Sequence, residues 1–108
     1  MALSETEFET RARETLTAIE CAIESSAAEC DCEWKGEGVL EIEFEDGSKI
    51  IVNRHGPARE IWIAAKSGGL HFRFDGTHWV NTRDGSEIFA ALSRLVSQQS
   101  GQPVVLRP

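Results

Sequence analysis

The side chains best suited to chemistry in this chain are carboxylates, and they recur at a spacing of two. Between Glu29 and Asp46 there are eight acids (Glu29, Asp31, Glu33, Glu37, Glu41, Glu43, Glu45 and Asp46) against one base, Lys35. Alternate side chains of an extended chain share a face. Glu29, Asp31 and Glu33 therefore fall on one side of a first strand, with Cys30, Cys32 and Trp34 on the other. After the Gly36/Gly38 break the pattern repeats, with Glu41, Glu43 and Glu45 opposite Leu40, Ile42 and Phe44. If both apolar sides meet one core, six carboxylates crowd a single outer surface, where like charges repel. Carboxylate oxygens are ligands for hard cations. Without imidazole, thiolate or a preformed cage, such a surface holds metal weakly and with little selectivity. It is expected to take a cation or a basic protein; the plain alternative is a solvated, solubilising face.

A second group belongs to the middle of the chain. In Glu60–Ala65, Ile61, Ile63 and Ala65 share one face and Trp62 and Ala64 the other. If the isoleucines face the core, Trp62 stands on the open side, where tryptophan is the residue most enriched at interface hot spots. Asn53, in an alternating strand before it, is expected on the same side. The other reactive types suggest less. Cys21, Cys30 and Cys32 lack zinc-site spacing, and Cys30 and Cys32 are expected to be buried on the side of Trp34. His55, His71 and His78 do not cluster in sequence and are expected at the surface. There is no phosphate loop, dinucleotide fingerprint or catalytic triad order, and no evident nucleophile.

The elements that must position these groups follow from periodicity. Ser4 with Glu7 is a capping box. Phe8, Ala12, Leu16, Ile19 and Ile23 form one helical face, which predicts a helix over about 5–25. Glu20 and Glu24 lie near its C-terminus, where negative charge opposes the macrodipole. Strands are predicted at 30–35, 39–45, 48–54, 60–65, 70–74 and 78–81, joined by Asp46-Gly47, Gly56-Pro57, Ser67-Gly68-Gly69 and Asp75-Gly76 turns. Asp84 with Glu87 predicts the start of a second helix whose apolar positions are Ile88, Phe89, Leu92, Leu95 and Val96, with Gly101 as its stop. Val104, Val105 and Leu106 imply that the tail packs. Helix, meander, helix is an α+β arrangement: a two-layer sandwich with both helices on one face of a five- to six-stranded antiparallel sheet.

The 108 residues suit a single domain, 1–108, able to bury a core without disulfides or metal. The net charge of −7 is unevenly spread: residues 1–46 hold 14 acids and 3 bases, residues 47–108 hold 4 acids and 8 bases. The acidic half is unsuited to nucleic acid or an anionic membrane. No apolar run approaches the roughly 18 residues of a membrane span, and MALSETEFET lacks the features of a secretory or transit signal. A cytoplasmic protein with reduced thiols is expected.

Three segments, DGSKIIVNRHGP, EIWIAAKSGGLHFRFDGTHWV and DGSEIFAALSRLVSQQSG, resemble the frataxin family in its bacterial form, and the likeness extends over nearly the whole chain. The most specific elements are Asn53…Pro57…Ile61-Trp62 and Ser67-Gly68-Gly69…Phe72. The resemblance implies the two-layer frataxin sandwich and a role in iron–sulfur cluster assembly. It implies an iron-binding acidic ridge at Glu20, Glu24, Glu29, Asp31 and Glu33; the alternation adds Glu41 and Glu43. It further implies weakly bound Fe2+/Fe3+, delivered as an iron donor, and docking of the ridge on a basic patch of the cysteine desulfurase as its regulator. Trp62 and Asn53 would face the scaffold protein. The chain would be a monomer, oligomeric under iron load, and not an enzyme. A ferroxidase or iron-storage activity and an acidic interaction module with adventitious metal binding are the competing readings. Cys21 and Ser25 stand where relatives often carry acids, and Ser26-Ala27-Ala28 is uncharged, so the ridge is thin on the helix. His55 and Glu60 stand where glutamine is common.

Overall fold

A computed structural model describes residues 3–26 and 28–108. The start of the MALSETEFET segment and Ala27 of the helix-to-strand loop lie outside the described residues. The order is α1 (Glu5–Glu24), β1 (Cys30–Trp34), β2 (Val39–Phe44), β3 (Lys49–His55), β4 (Glu60–Ala65), β5 (Gly68–Phe74), β6 (Trp79–Asn81) and α2 (Ile88–Ser100). The six strands form one sheet in sequence order, every pairing antiparallel. The two-layer α+β sandwich expected from the sequence is the fold.

Local chemistry explains the elements. Ser4 Oγ accepts from the Glu7 N–H at 3.2 Å, and Glu7 reaches back to the Ser4 N–H at 3.4 Å, closing the capping box. The five apolar residues predicted on one face of α1 are all buried, as are Ile88, Phe89, Ala91, Leu92, Leu95 and Val96 of α2. They meet Leu40, Ile42, Phe44, Ile50, Val52, Ile61, Ile63 and Phe72 from the sheet in one cluster. Each such aliphatic or phenyl side chain, fully buried, contributes about 1.5–3 kcal/mol. Both helices cover the same face, so Glu41, Glu43, Asn53, His55, Trp62 and His71 lie on the other.

The second helix starts later than expected. Asp84 does not cap it: its Oδ1 accepts from the N–H and hydroxyl of Ser86 at 2.9 and 2.7 Å, closing a local turn. Glu87 is the N-cap, its carboxylate accepting from Phe89 and Ala90. Gly101 ends the helix in the left-handed region, with φ 76°.

The tail packs, as Val104 and Leu106 are buried and Val105 points to solvent. It is tied down by two helix serines. Ser97 Oγ accepts from the Val104 N–H at 2.9 Å and donates to its carbonyl at 3.1 Å. One turn earlier, Ser93 Oγ accepts from the Leu106 N–H at 2.8 Å. Serines four apart on a helix thus match residues two apart in an extended segment.

Candidate metal and partner-docking surface

The register of β1 and β2 sets Asp31 opposite Glu43 and Glu33 opposite Glu41. Four of the alternating acids thus face one another across two adjacent strands, on the open side of the sheet. At the end of the pair, Glu29 and Glu45 are close enough to hydrogen bond, and that bond, with the Coulomb repulsion behind it, raises the Glu45 pKa. These two line a polar cavity of about 430 Å³ with Asp46 and the end of α2.

The helix acids join from the side. Trp34 Nε1 donates to Glu20 Oε2 at 2.9 Å, fixing the end of β1 against α1. The Cys32 thiol is pushed up to about 12, by burial first, then by Cys30 and by the negative charge of Glu24, Glu20 and Asp31. Glu20 and Glu24 therefore stand beside β1. Glu29, Asp31 and Glu33 are exposed on and before that same edge strand, while no contact joins them to Glu20 or Glu24 among the described residues. Among the described residues no three His, Cys, Asp or Glu side chains converge as a group that could hold an ion. The donor set is carboxylate oxygen throughout, which suits a hard cation held loosely with water completing its shell.

The two acids added by alternation differ from one another. Glu43 is exposed. Glu41 is 9% exposed, and its oxygens lie 3.4 Å from both Lys35 Nζ and Lys49 Nζ. Lys35 also reaches Glu33 at 3.1 Å. Glu41 is thus a neutralised link in a lysine–glutamate chain, and the exposed negative charge is carried by its neighbours.

The cysteine side of β1 is less enclosed than predicted. Cys30 and Cys32 are half-buried against the core, but Trp34 is 40% exposed. β1 is an edge strand, and its last residue runs past the core to the rim of α1. The alternation gives its side correctly but not its place at the edge of the sheet, where no further strand flanks it.

Trp62 lies on the open face, paired across strands with Asn53 on one side and His71 on the other. It is not freely exposed. Its indole is stacked between His55, centroids 3.8 Å apart and 7° from parallel, and His71, 4.4 Å apart and 12° from parallel. Its Nε1 donates to Glu60 Oε1 at 2.8 Å, and His71 Nδ1 lies 3.8 Å from the same oxygen. The His55 Nδ1 accepts from the Ala58 N–H at 3.2 Å. Residues 55 and 71 are far apart in sequence, so no linear spacing reports this stack. The signal that could have found it is the meander itself, which lays three consecutive strands side by side. His78 is exposed beyond β5 and stands apart from the stack. Asn53 Nδ2 donates to the Arg54 carbonyl at 3.2 Å and is half-buried beside Trp62.

Comparison with known proteins agrees with this geometry. Residues 1–102 match the Frataxin-like domain family. The chain is 55% identical over 109 residues to the iron-sulfur cluster assembly protein CyaY of Janthinobacterium sp. (strain Marseille), covering 97% of each. Its structure resembles the frataxin of Psychromonas ingrahamii with a TM-score of 0.89 at 30% identity, over 98% of this chain and 100% of that one. It shares its fold with the trimeric frataxin of the yeast Saccharomyces cerevisiae complexed with ferrous iron, with a TM-score of 0.66 at 23% identity over 94% and 90% of the two chains. A matched sandwich, a full-length family match and a relative more than half identical lead to one conclusion: the chain belongs to the frataxin family.

Proposed function

We propose that this chain, acting as one domain of residues 1–108, serves iron–sulfur cluster assembly as a binding module, not an enzyme. It binds Fe2+ and Fe3+ weakly on the open carboxylates of Glu20, Glu24, Glu29, Asp31 and Glu33, with Glu43 extending the surface, and docks through them on a basic face of the cysteine desulfurase. It acts there as an iron donor and regulator, in the cytoplasm. The open sheet around Asn53 and Trp62 meets the scaffold protein. The observation that carries this reading is that Glu20 and Glu24 of α1 stand beside the edge strand that carries Asp31 and Glu33, with Trp34 bonded to Glu20 and Cys32 in the field of Glu24. Membership of a family whose bacterial relative is named for iron–sulfur cluster assembly, and the yeast relative's ferrous complex, support it. Among the described residues no helix is long and apolar enough to cross a membrane.

The test is to replace the five ridge acids with Gln or Asn and measure desulfurase affinity by titration calorimetry. The fold is expected to survive, because none of the five side chains is in the buried core. Binding should be lost, and in the unaltered chain it should weaken steeply with salt. An unchanged affinity in the neutralised variant contradicts the docking role.

A further inference from the structure

One part of the acidic edge is apolar. Trp34 is the larger of the two exposed large hydrophobic side chains among the described residues. Beside it lies a mostly apolar cleft of about 260 Å³ formed by Ala12, Leu16, Thr17, Gly36 and Gly38, with Arg13 and Arg54 also in its lining. The cleft is built rather than incidental. Gly38 has φ 76°, and a Cβ there would stand 2.8 Å from Arg54 Cγ, so only glycine lets the arginine lie across this turn. Arg54 is paired with two carboxylates, 3.8 Å from Glu9 and 3.4 Å from Glu37. The indole beside the cleft is held at its N–H by Glu20. An ordered, open aromatic face therefore sits beside an apolar slot, between Glu20 on one side and the exposed Glu37 on the other.

We propose that Trp34 and this cleft are the receptor for an arginine side chain presented by a basic protein partner. The chemistry that recognises a guanidinium is all present: an indole face for the planar cation, carboxylates for its N–H groups, and an apolar slot for its methylene stem. Charge complementarity selects the occupant, because the cleft opens beside the acidic edge; of the two arginines that line it, Arg54 is paired with Glu9 and Glu37, and Arg13 is exposed on the surface of α1, where it can swing aside into water. A lysine would gain less, since its compact ammonium neither stacks nor binds in a fork. This rests on the docking reading above and assigns it a specific anchor, continuous with the ridge through the Trp34–Glu20 bond.

Hexa-arginine and hexa-lysine peptides serve as probes, titrated calorimetrically at low salt against the native chain and Trp34→Leu. Loss of the indole should weaken hexa-arginine binding by about tenfold and hexa-lysine binding by clearly less. Equal losses for the two peptides, or none, overturn the proposal. On the native chain, the Trp34 indole N–H resonance should move on adding hexa-arginine while that of buried Trp79 stays; a Trp34 resonance that does not move overturns it even if the variant fails to fold. A variant neutralised at Glu24, Glu29, Asp31 and Glu33, with Glu20 kept, is run against the desulfurase in parallel. Retained desulfurase binding there contradicts the docking reading, while the peptide arms decide the cleft independently.

Discussion

Carboxylates of one type occupy very different states here, and their substitutions should separate. Glu41 is clamped by two lysines and nearly buried. Glu41→Gln should cost about 1 kcal/mol in denaturant unfolding, since both lysines are half-exposed and can return to water. It should leave divalent-cation affinity almost unchanged, whereas Asp31→Asn should lower it. Glu45 has the opposite character. Its pKa is raised by the bond to Glu29 and by the charge of that carboxylate. The folded state therefore holds this proton more tightly, and the stabilisation is present at low pH and lost as pH rises through the carboxylate range. Near neutrality the pair repels unless a cation replaces the proton. Glu45→Gln should raise stability at pH 7 and remove that part of the pH dependence, measured by thermal unfolding from pH 4 to 8. Asp46, Asp75 and Asp84 have lowered pKa values, chiefly through hydrogen bonds from Ser48, His78 with Thr77, and Ser86. Their contribution has the reverse sign, present at neutral pH and lost on acidification. Among the thiols, Cys32 is held up to about 12, so it stays protonated at pH 8 while Cys21 is exposed. Iodoacetamide at pH 8 should therefore modify Cys21 well before Cys32, read by mass spectrometry.

Elements were legible in proportion to how local their causes are. The capping box, the α1 stripe and the Asp-Gly turns are contiguous signals, and each appears where the residues place it. Glu60–Ala65 matches its strand to the residue. Periodicity also gave the open side of the sheet, and with it the common surface of Asp31, Glu33 and Glu43. The failures are at element ends. The Asp84–Glu87 pair is expected to start the second helix, but a turn closed by Ser86 competes for Asp84, and Glu87 caps the helix instead. Trp34 is expected in the core because its strand side is the core side, but β1 is the edge strand, and the indole lies at the rim of the sandwich against the flank of α1. The His55–Trp62–His71 stack and the lysine clamp on Glu41 depend on strand register, which no single segment encodes. The tail shows the same dependence: its packing is expected from Val104, Val105 and Leu106, but the exposure of Val105 and the attachment to Ser93 and Ser97 are not legible in the segment. Ser97→Ala leaves the Val104 amide without its partner and should destabilise the chain by about 1–3 kcal/mol in denaturant unfolding. Hydrogen exchange at Val104 should rise with it; a tail that remains protected contradicts this attachment.

At the scale of the molecule, charge is sorted across the sheet. The exposed acids of α1, β1 and β2 lie at one edge, and the indole–imidazole stack, with Arg73 beside it on β5, lies several strands away. A module with two differently charged surfaces can engage a basic and a mixed partner at once, which suits assembly of a complex. It also explains why negative charge is tolerated at the C-terminal end of α1, where no basic residue offsets the macrodipole. The central claim is that this edge, and not the imidazoles or the thiols, receives the cation. The most direct measurement is an NMR titration of the chain with paramagnetic Mn2+ and, anaerobically, Fe2+. Line broadening should begin at the amides of Glu20, Glu24, Glu29, Asp31 and Glu33 and leave Trp62 and its histidine neighbours sharp. Broadening centred on His55 and His71, or spread evenly over the surface, would contradict the account.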